Sequence, residues 1–278
     1  MCRDCQLGPF HQVPDQRWTL ALDQLPWFHC REGLPPLICP IVEMNLPHPN
    51  ATIPLTAPES PGSQCIGGRV RVKICGITCR EDAEAAILAG ADALGFNAWQ
   101  RSKRYLDVAA AAPWLRDLPG FVTKVVLCVN HTLEEAIRLG ALPFIDVAQF
   151  HGDESDGFCA QYSADGRPHI RAVRPRSRDE LDQLPTLGTR QVLLDAAVPG
   201  AYGGTGARAD LELAAAAVRR FPNLSVTLAG GLEPDNVAEA VRLVRPYAVD
   251  VASGVESVPG RKDPFKMRDF VQAVLGAL

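Results

Sequence analysis

A cysteine and an aspartate each stand at the end of a short apolar segment. Cys75 ends residues 70–75 and precedes Gly76, and Asp195 directly follows residues 192–194. A thiol in an electropositive, partly exposed pocket can ionise near neutral pH and remove a proton from carbon. A carboxyl group in a partly dry pocket can keep its proton and act as a general acid. The pair therefore predicts an isomerisation, and the alternatives are a small core cysteine and a turn-capping aspartate.

Three glycine-rich turns in the second half of the chain predict a phosphate site. Glycine lets backbone N–H groups approach an anion closely, although one such turn alone would usually only shape the chain. A short helix after Ser253 would direct its positive end to the same place. The residues concerned are Gly203, Gly204 and Gly206, then Gly230 and Gly231, and finally Ser253 and Gly254.

Arg104 and His151 are the remaining candidates for contacts with a substrate. Arg104 lies in a basic stretch in which Arg101 and Lys103 are interpreted as solvated, while Arg104 could turn inward. One inward arginine can hold a carboxylate in a two-pronged contact. His151 is either a second polar wall of the pocket or a structural histidine, and the residues alone do not decide between these.

Short apolar runs alternate with helix-period segments from residue 69 onward. Candidate N-caps precede five of the helical segments: Asp107, Thr132, Asp153, Ser177 and Asp210. Strands are predicted at 70–75, 93–96, 123–129, 145–150, 169–173, 191–195, 225–229 and 248–252. Helices are predicted near 80–89, 107–116, 132–139, 154–162, 177–184, 210–220, 234–244 and 263–276.

Eight strand–helix units predict an α/β fold with a parallel sheet closed into a (β/α)₈ TIM barrel over residues 69–278. An open doubly wound sheet is the alternative, but no G-x-G-x-x-G follows the first strand. Active sites of such barrels lie at the carboxyl ends of the strands, and phosphate is usually bound after strands 7 and 8. Cys75, Arg104, His151 and Asp195 would then meet at one end, with the glycine turns after strands 6, 7 and 8.

Residues 1–68 differ in composition from the rest of the chain. They hold eleven of the 23 prolines and five of the nine cysteines, and we expect a disordered or loosely packed extension. Zinc sites usually present two tight ligand pairs, and only Cys2 and Cys5 form one, so a solvated tail is favoured over a zinc site. An interaction segment stays open. The downstream candidates for zinc are His29, Cys30 and Cys39.

Charge and hydropathy narrow the class of protein. The net charge of −4 and the lack of a basic run argue against nucleic acid as a partner. No apolar stretch reaches the roughly 18 residues of a membrane span, and the N-terminus lacks a signal-peptide layout. We therefore expect a cytoplasmic protein with mostly reduced thiols that takes a small anionic metabolite.

The barrel region resembles the phosphoribosylanthranilate isomerase family of tryptophan biosynthesis. The resemblance covers essentially all of residues 69–278, and its motifs occur in the family's order and spacing. They are 72–78 (VKICGIT), 90–96 (GADALGF), 102–105 (SKRY), 149–154 (QFHGDE), 193–195 (LLD), 202–206 (YGGTG), 228–232 (LAGGL), 249–256 (VDVASGVE) and 259–263 (PGRKD).

The resemblance implies an Amadori rearrangement of N-(5-phosphoribosyl)anthranilate without a metal or an organic cofactor. Asp195 would protonate the ribose ring oxygen, and the Cys75 thiolate would remove the proton from C2′. Arg104 would pair with the anthranilate carboxylate, and the three glycine turns would bind the phosphate. The expected partner is this small phosphosugar, and the chain would be a monomer or a homodimer.

One loop departs from the family's pattern, and two alternatives stay open. Residues 97–100 read Asn-Ala-Trp-Gln, where the family usually has further bulky apolar residues and a proline. A related phosphosugar barrel is the first alternative, although the histidine-pathway isomerase would carry aspartate after strand 1 and indole-glycerol-phosphate synthase a lysine. The second alternative is a non-catalytic ligand-binding homologue that docks through the extension.

Overall fold

Eight apolar segments pair side by side as parallel strands and close into a barrel in chain order, β1 to β8. The structure is a computed structural model that describes residues 69–186, 188–196 and 209–278. The closed sheet confirms the predicted barrel and excludes the open doubly wound alternative. The strands are β1 Arg71–Cys75, β2 Ala93–Asn97, β3 Thr123–Cys128, β4 Val147–Phe150, β5 His169–Val173, β6 Gln191–Leu194, β7 Ser225–Leu228 and β8 Ala248–Val251.

Helices cover the outside of the barrel, and two predicted caps are confirmed. Thr132 forms a capping box with Glu135 at the start of α3, and Asp210 accepts the N–H of Leu213 at the start of α5. A 3₁₀ helix spans Asp179–Thr186 after β5. The α-helices are α1 Arg80–Ala89, α2 Ala112–Leu115, α3 Leu133–Gly140, α4 Asp156–Ser163, α5 Leu211–Arg220, α6 Val237–Val244 and α7 Pro264–Leu275.

Three helix predictions need correction. The cap of α4 is Ser155 and not Asp153, whose own N–H donates to Asn130 on the neighbouring loop. The helix predicted at 107–116 shortens to α2, because Asp107 accepts the N–H of Ala110 in a turn that precedes it. The segment predicted at 177–184 is the 3₁₀ helix and not an α-helix.

Alternate residues of each strand face opposite sides of the barrel wall, as the two-residue repeat of a strand requires. On β1, Val72 and Ile74 pack outward into the large core beneath the helices, whereas Cys75 packs inward with Leu127 and Leu193. The interior also buries polar side chains, which are Lys73, Gln149, Thr227 and Asp250. The inward positions at the carboxyl ends of the strands therefore supply the site.

A small antiparallel hairpin follows β8 and borders the same end of the barrel. After a 3₁₀ turn at Ser253–Val255, β9 (Glu256–Val258) pairs with β10 (Arg261–Lys262). The hairpin is tied to the first βα unit, since Thr78 Oγ1 donates to the Gly260 carbonyl at 2.6 Å and Lys262 N–H donates to Asp82. These bonds hold Glu256 beside the loop that carries Arg104.

Some sequence predictions fall outside the described residues. They concern the extension at 1–68 with its zinc hypothesis, and the turn that contains Gly203, Gly204 and Gly206. The domain boundary between residues 68 and 69 stays a prediction. Among the described residues, no helix is long and apolar enough to cross a membrane.

His169 links the core to the pH dependence of stability. Its side chain is buried against Phe150 and Tyr162, and Nδ1 lies 2.8 Å from Ser163 Oγ, while Nε2 has no hydrogen-bond partner. Burial lowers the pKa of His169 below its ordinary value, and the charge of Arg171 acts in the same direction.

We expect His169→Phe to weaken the acid sensitivity of the fold. The unfolded chain takes up this proton below about pH 6.5 and the folded chain resists it. Stability is therefore fully present above that pH and falls, by up to about 1.4 kcal/mol per pH unit, toward the lower folded pKa. Urea unfolding between about pH 5 and pH 8 measures this slope. Equal slopes in the wild type and the variant would contradict it.

Candidate active site

One pocket opens at the carboxyl ends of the barrel strands. It has a volume of about 510 Å³, and its wall brings together side chains and turns from β1, β2, β3, β4, β6, β7 and β8. The predicted residues that line it are Cys75, Arg104, His151, Asp195, Gly230, Gly231 and Ser253. Gly254 lies behind this wall, where a Cβ atom would overlap the carbonyl of Leu232.

Cys75 is the last residue of β1, and its position depends on Gly76. Gly76 has a φ of +77°, and a Cβ atom there would overlap the side chain of Arg104, which crosses it. Burial raises the pKa of the Cys75 thiol above its ordinary value, although the charge of Lys73 opposes this. The raised pKa differs from the expected ready ionisation, since it favours the thiol form of Cys75 near neutral pH.

Arg104 is engaged by a carboxylate that the sequence did not single out. Its Nε and Nη2 donate to the two oxygens of Glu256 at 2.6 and 2.8 Å, and both side chains are largely buried. Lys262 Nζ also donates to Glu256, at 3.0 Å. A guanidinium held along its Nε edge still presents Nη1 to a second planar anion, so the pairing orients Arg104.

Polar contacts of Asn97 and Ser102 fix the loop after β2, whose Ala98 is buried in the outer core. Asn97 Oδ1 accepts the N–H of Trp99, and Asn97 Nδ2 donates to Ser102 Oγ at 3.0 Å. Ser102 Oγ also accepts the N–H of Arg104. Asn97 thus fixes the course of the loop that delivers Arg104 to the pocket, while Arg101 and Lys103 are exposed on the pocket rim as expected.

Asp195 is the centre of a hydrogen-bonded row of side chains. Oδ2 lies 3.1 Å from His151 Nε2, and His151 Nδ1 lies 2.8 Å from Gln149 Nε2. Oδ1 accepts the N–H of Ala196 at 2.8 Å. His151 therefore belongs to the pocket rather than to the structural core.

The ionisation of Asp195 differs from the sequence-based expectation of a retained proton. Burial alone would raise the pKa of Asp195, but the hydrogen bond with His151, the Ala196 N–H and the charge of Arg174 outweigh it. The pKa of Asp195 is consequently lower than usual, and Asp195 is a carboxylate at neutral pH. The resting pair is thus a thiol and a carboxylate.

The turn after β7 passes close to Asp195. Gly230 and Gly231 have φ values of +92° and +61°, and a Cβ atom on Gly230 would lie 2.8 Å from the Ala196 nitrogen. Only glycine fits this backbone conformation and this close approach without strain. Together with Ser253 after β8, the turn forms the side of the pocket expected to take phosphate.

Several charged residues in the pocket wall or next to it were missed by the sequence reasoning. Lys73 and Asp250 are inward-facing strand residues that the two-residue repeat could have identified from Cys75 and Ala252. Glu256 and Lys262 belong to the hairpin, and no local pattern predicted its contact with Arg104. Asn130, which follows β3, contacts Asp153 and Glu154 on the adjacent loop and does not line the pocket.

Polar groups that converge at the carboxyl ends of eight parallel strands define an enzyme of the (β/α)₈-barrel class. A family model described as N-(5'phosphoribosyl)anthranilate (PRA) isomerase matches residues 72–273. The chain belongs to this family.

Individual relatives agree with this assignment. The N-(5'-phosphoribosyl)anthranilate isomerase of Geobacter sp. (strain M21) is 48% identical over 201 residues, which are 72% of this chain and 96% of that protein. The phosphoribosyl anthranilate isomerase structure from Thermotoga maritima shares 34% identity at a TM-score of 0.67 and covers 74% of this chain and 99% of its own. A further structure, at 33% identity and a TM-score of 0.64 with the same coverage, is a complex with reduced 1-(o-carboxyphenylamino)-1-deoxyribulose 5-phosphate.

Proposed function

We propose that this chain isomerises N-(5-phosphoribosyl)anthranilate to 1-(2-carboxyphenylamino)-1-deoxyribulose 5-phosphate in tryptophan biosynthesis. The observation that carries the proposal is the meeting of Cys75, Asp195 and Arg104 in one pocket of a barrel from this family. The relative that binds a reduced form of that product supports the same substrate class.

Asp195 and Cys75 divide the two proton transfers between them. Asp195 gives a proton to the ribose ring oxygen, and the C1′–O bond breaks to leave a protonated Schiff base. The Cys75 thiolate then takes the proton from C2′, and the C–H electron pair moves into the C1′–C2′ bond to give an enolamine. Tautomerisation of the enolamine returns a proton to carbon and leaves the C2′ ketone.

The reactive form of the pair carries the same number of protons as the resting form. Moving one proton from the Cys75 thiol to the Asp195 carboxylate gives the required thiolate and carboxylic acid. The ratio of these two forms does not depend on pH, so kcat/KM forms a plateau between the two apparent pKa values. A lower pKa of Cys75 or a higher pKa of Asp195 raises that plateau.

His151 and Gln149, which lie behind Asp195, can rearrange their hydrogen bonds when Asp195 takes up a proton. With the Gln149 amide donating to Nδ1, His151 holds its proton on Nε2 and donates to the Asp195 carboxylate. Gln149 Oε1 is buried without a hydrogen-bond partner. If the Gln149 amide rotates by 180°, its Oε1 can accept a hydrogen bond from the other His151 tautomer, which carries its proton on Nδ1. His151 Nε2 can then accept a hydrogen bond from a protonated Asp195.

Purified full-length protein incubated with freshly prepared N-(5-phosphoribosyl)anthranilate tests the proposal. NMR follows the reaction, because the anomeric C1′ proton of the aldose is replaced by a CH₂ group in the ketose. No conversion above the spontaneous rate would contradict the proposal. Conversion of another aminoaldose phosphate in place of this substrate would favour the related-barrel alternative.

We expect Arg104→Lys to raise KM more than it lowers kcat. Lysine keeps the positive charge, but its ammonium lacks the two donor edges with which a guanidinium can bond Glu256 and a substrate carboxylate at the same time. Loss of one charge-assisted contact to the anthranilate carboxylate corresponds to an increase of about 10- to 100-fold in KM. Steady-state kinetics measure this, with Arg242→Lys at an exposed position of α6 outside the pocket as the control. Equal KM values for the wild type and Arg104→Lys would contradict the role of Arg104.

A further inference from the structure

Lys73 is a buried cation directly beneath the proposed base. It lies two residues before Cys75 on β1, so both side chains face the barrel interior. Its Cα is paired in register with that of Asp250 on β8, and Nζ donates to Asp250 Oδ1 at 2.7 Å. Both side chains are at most 8% exposed. Burying this ion pair costs desolvation energy, and packed apolar residues would fill the space at least as well.

Lys73 and Cys75 lie on the same face of β1, and the charge of Lys73 lowers the pKa of Cys75 against the opposing effect of burial. Burial alone would lower the pKa of Lys73, but Asp250 and Cys75 together raise it above its ordinary value. Lys73 therefore stays charged in the interior. An ammonium fixed on the same strand face as the sulfur stabilises the thiolate more than the thiol.

The charged groups around the Cys75 sulfur have a net positive charge that a thiolate would neutralise. Lys262 and Arg104 also interact electrostatically with Cys75, and both are paired with Glu256. With a neutral thiol the set has a net charge of +1, and with a thiolate the net charge is zero. The set consists of three cations and two carboxylates: Lys73, Arg104, Lys262, Asp250 and Glu256.

We propose that Lys73 is a positioning residue that stabilises the Cys75 thiolate and so makes its formation easier. Asp250 holds Lys73 in place, and its negative charge partly opposes this stabilisation. This inference rests on the proposed function, in which the Cys75 thiolate is the base. Lys73 acts through Cys75 and does not line the pocket wall. A purely structural ion pair is the competing interpretation.

The two interpretations predict different changes in the ionisation of Cys75 for variants of Lys73 and Asp250. If Lys73 stabilises the thiolate, Lys73→Met makes ionisation of Cys75 harder. Asp250→Asn makes it easier, since the carboxylate repels the thiolate. A structural pair that only supports the fold would give losses of the same kind in both variants.

Alkylation of Cys75 by iodoacetamide measures the thiolate directly, because only the thiolate displaces iodide at a useful rate. Mass spectrometry of the Cys75 peptide separates it from the other cysteines across a pH series. For Lys73→Met we expect alkylation near neutral pH to slow by about tenfold or more, as for a pKa raised by one unit or more. For Asp250→Asn we expect faster alkylation than in the wild type.

A control and a second comparison keep the test decisive. Lys124→Met removes another buried lysine, which pairs with Asp146 on the outer side of β3, and it should leave the alkylation profile of Cys75 unchanged. If Lys73→Met alone does not fold, the double variant Lys73→Met/Asp250→Asn is compared with Asp250→Asn. We expect slower alkylation in the double variant.

Unchanged alkylation in both Lys73 variants, or slowing of equal size in Lys73→Met and Asp250→Asn, would overturn the inference. The kcat/KM plateau of Lys73→Met should fall by the same factor as its alkylation rate. Alkylation of Cys75 can be measured without turnover of the substrate. Failure of the substrate assay would therefore refute the proposed function alone, whereas failure of the alkylation pattern would refute the role of Lys73 alone.

Discussion

Replacing Cys75 by alanine is expected to lower kcat for N-(5-phosphoribosyl)anthranilate by about 10²- to 10⁴-fold, the usual contribution of a positioned base. The substitution removes only the sulfur that would take the C2′ proton. Ring opening and carboxylate binding, which the proposal assigns to Asp195 and Arg104, should be retained, so KM should change little. Steady-state kinetics with the NMR assay measure both quantities.

Cys128→Ala is the matched control for this variant. Cys128 is a fully buried cysteine on the outer face of β3, where burial raises its pKa to about 12. Its replacement should lower the free energy of unfolding and leave kcat unchanged. Equal activities of Cys75→Ala and Cys128→Ala would show that Cys75 is a core residue and that the base lies elsewhere.

Asp195→Asn is expected to lower kcat by a similar factor of about 10²- to 10⁴-fold, because an amide cannot protonate the ring oxygen. The amide is nearly the same shape as the carboxyl group and can still contact His151 and the Ala196 N–H. The loss should therefore appear in turnover rather than in folding. An acyclic substrate analogue that already carries the Schiff base would recover most of the lost rate.

Asp146→Asn is the control for Asp195→Asn, since Asp146 accepts the N–H of Lys124 away from the pocket. It should retain the kcat of the wild type. A wild-type rate for Asp195→Asn as well would remove Asp195 from the mechanism.

The pH dependence of the wild type gives a further check on both residues. Because the pKa of Asp195 is lowered and that of Cys75 is raised, kcat/KM should be flat through neutral pH. It should fall on the acid side as the Asp195 carboxylate takes up a proton, and on the alkaline side as the Cys75 thiol loses its own. A profile that rises steadily through neutral pH would contradict this order of pKa values.

The sequence predicted most of the fold because its signals are local. Apolar runs of four to six residues alternate with helix-period segments, and each strand was found to within two residues at either end. The wrong cap of α4 arose where a side chain bonded across a loop instead of within its own segment, because Asn130 Oδ1 accepts the N–H of Asp153.

The sequence alone determined the barrel, its family resemblance and the placing of Cys75, Arg104, His151 and Asp195 at the carboxyl ends of strands. A strand's two-residue repeat and the chain order of the barrel suffice for that. The tertiary structure alone decided the charge states, because these depend on groups far apart in the chain. Lys73 meets Asp250 and Arg104 meets Glu256 only when β8 closes the barrel against β1. The sequence predicted a Cys75 thiolate and an Asp195 carboxylic acid, whereas the pKa directions of the folded protein give a thiol and a carboxylate.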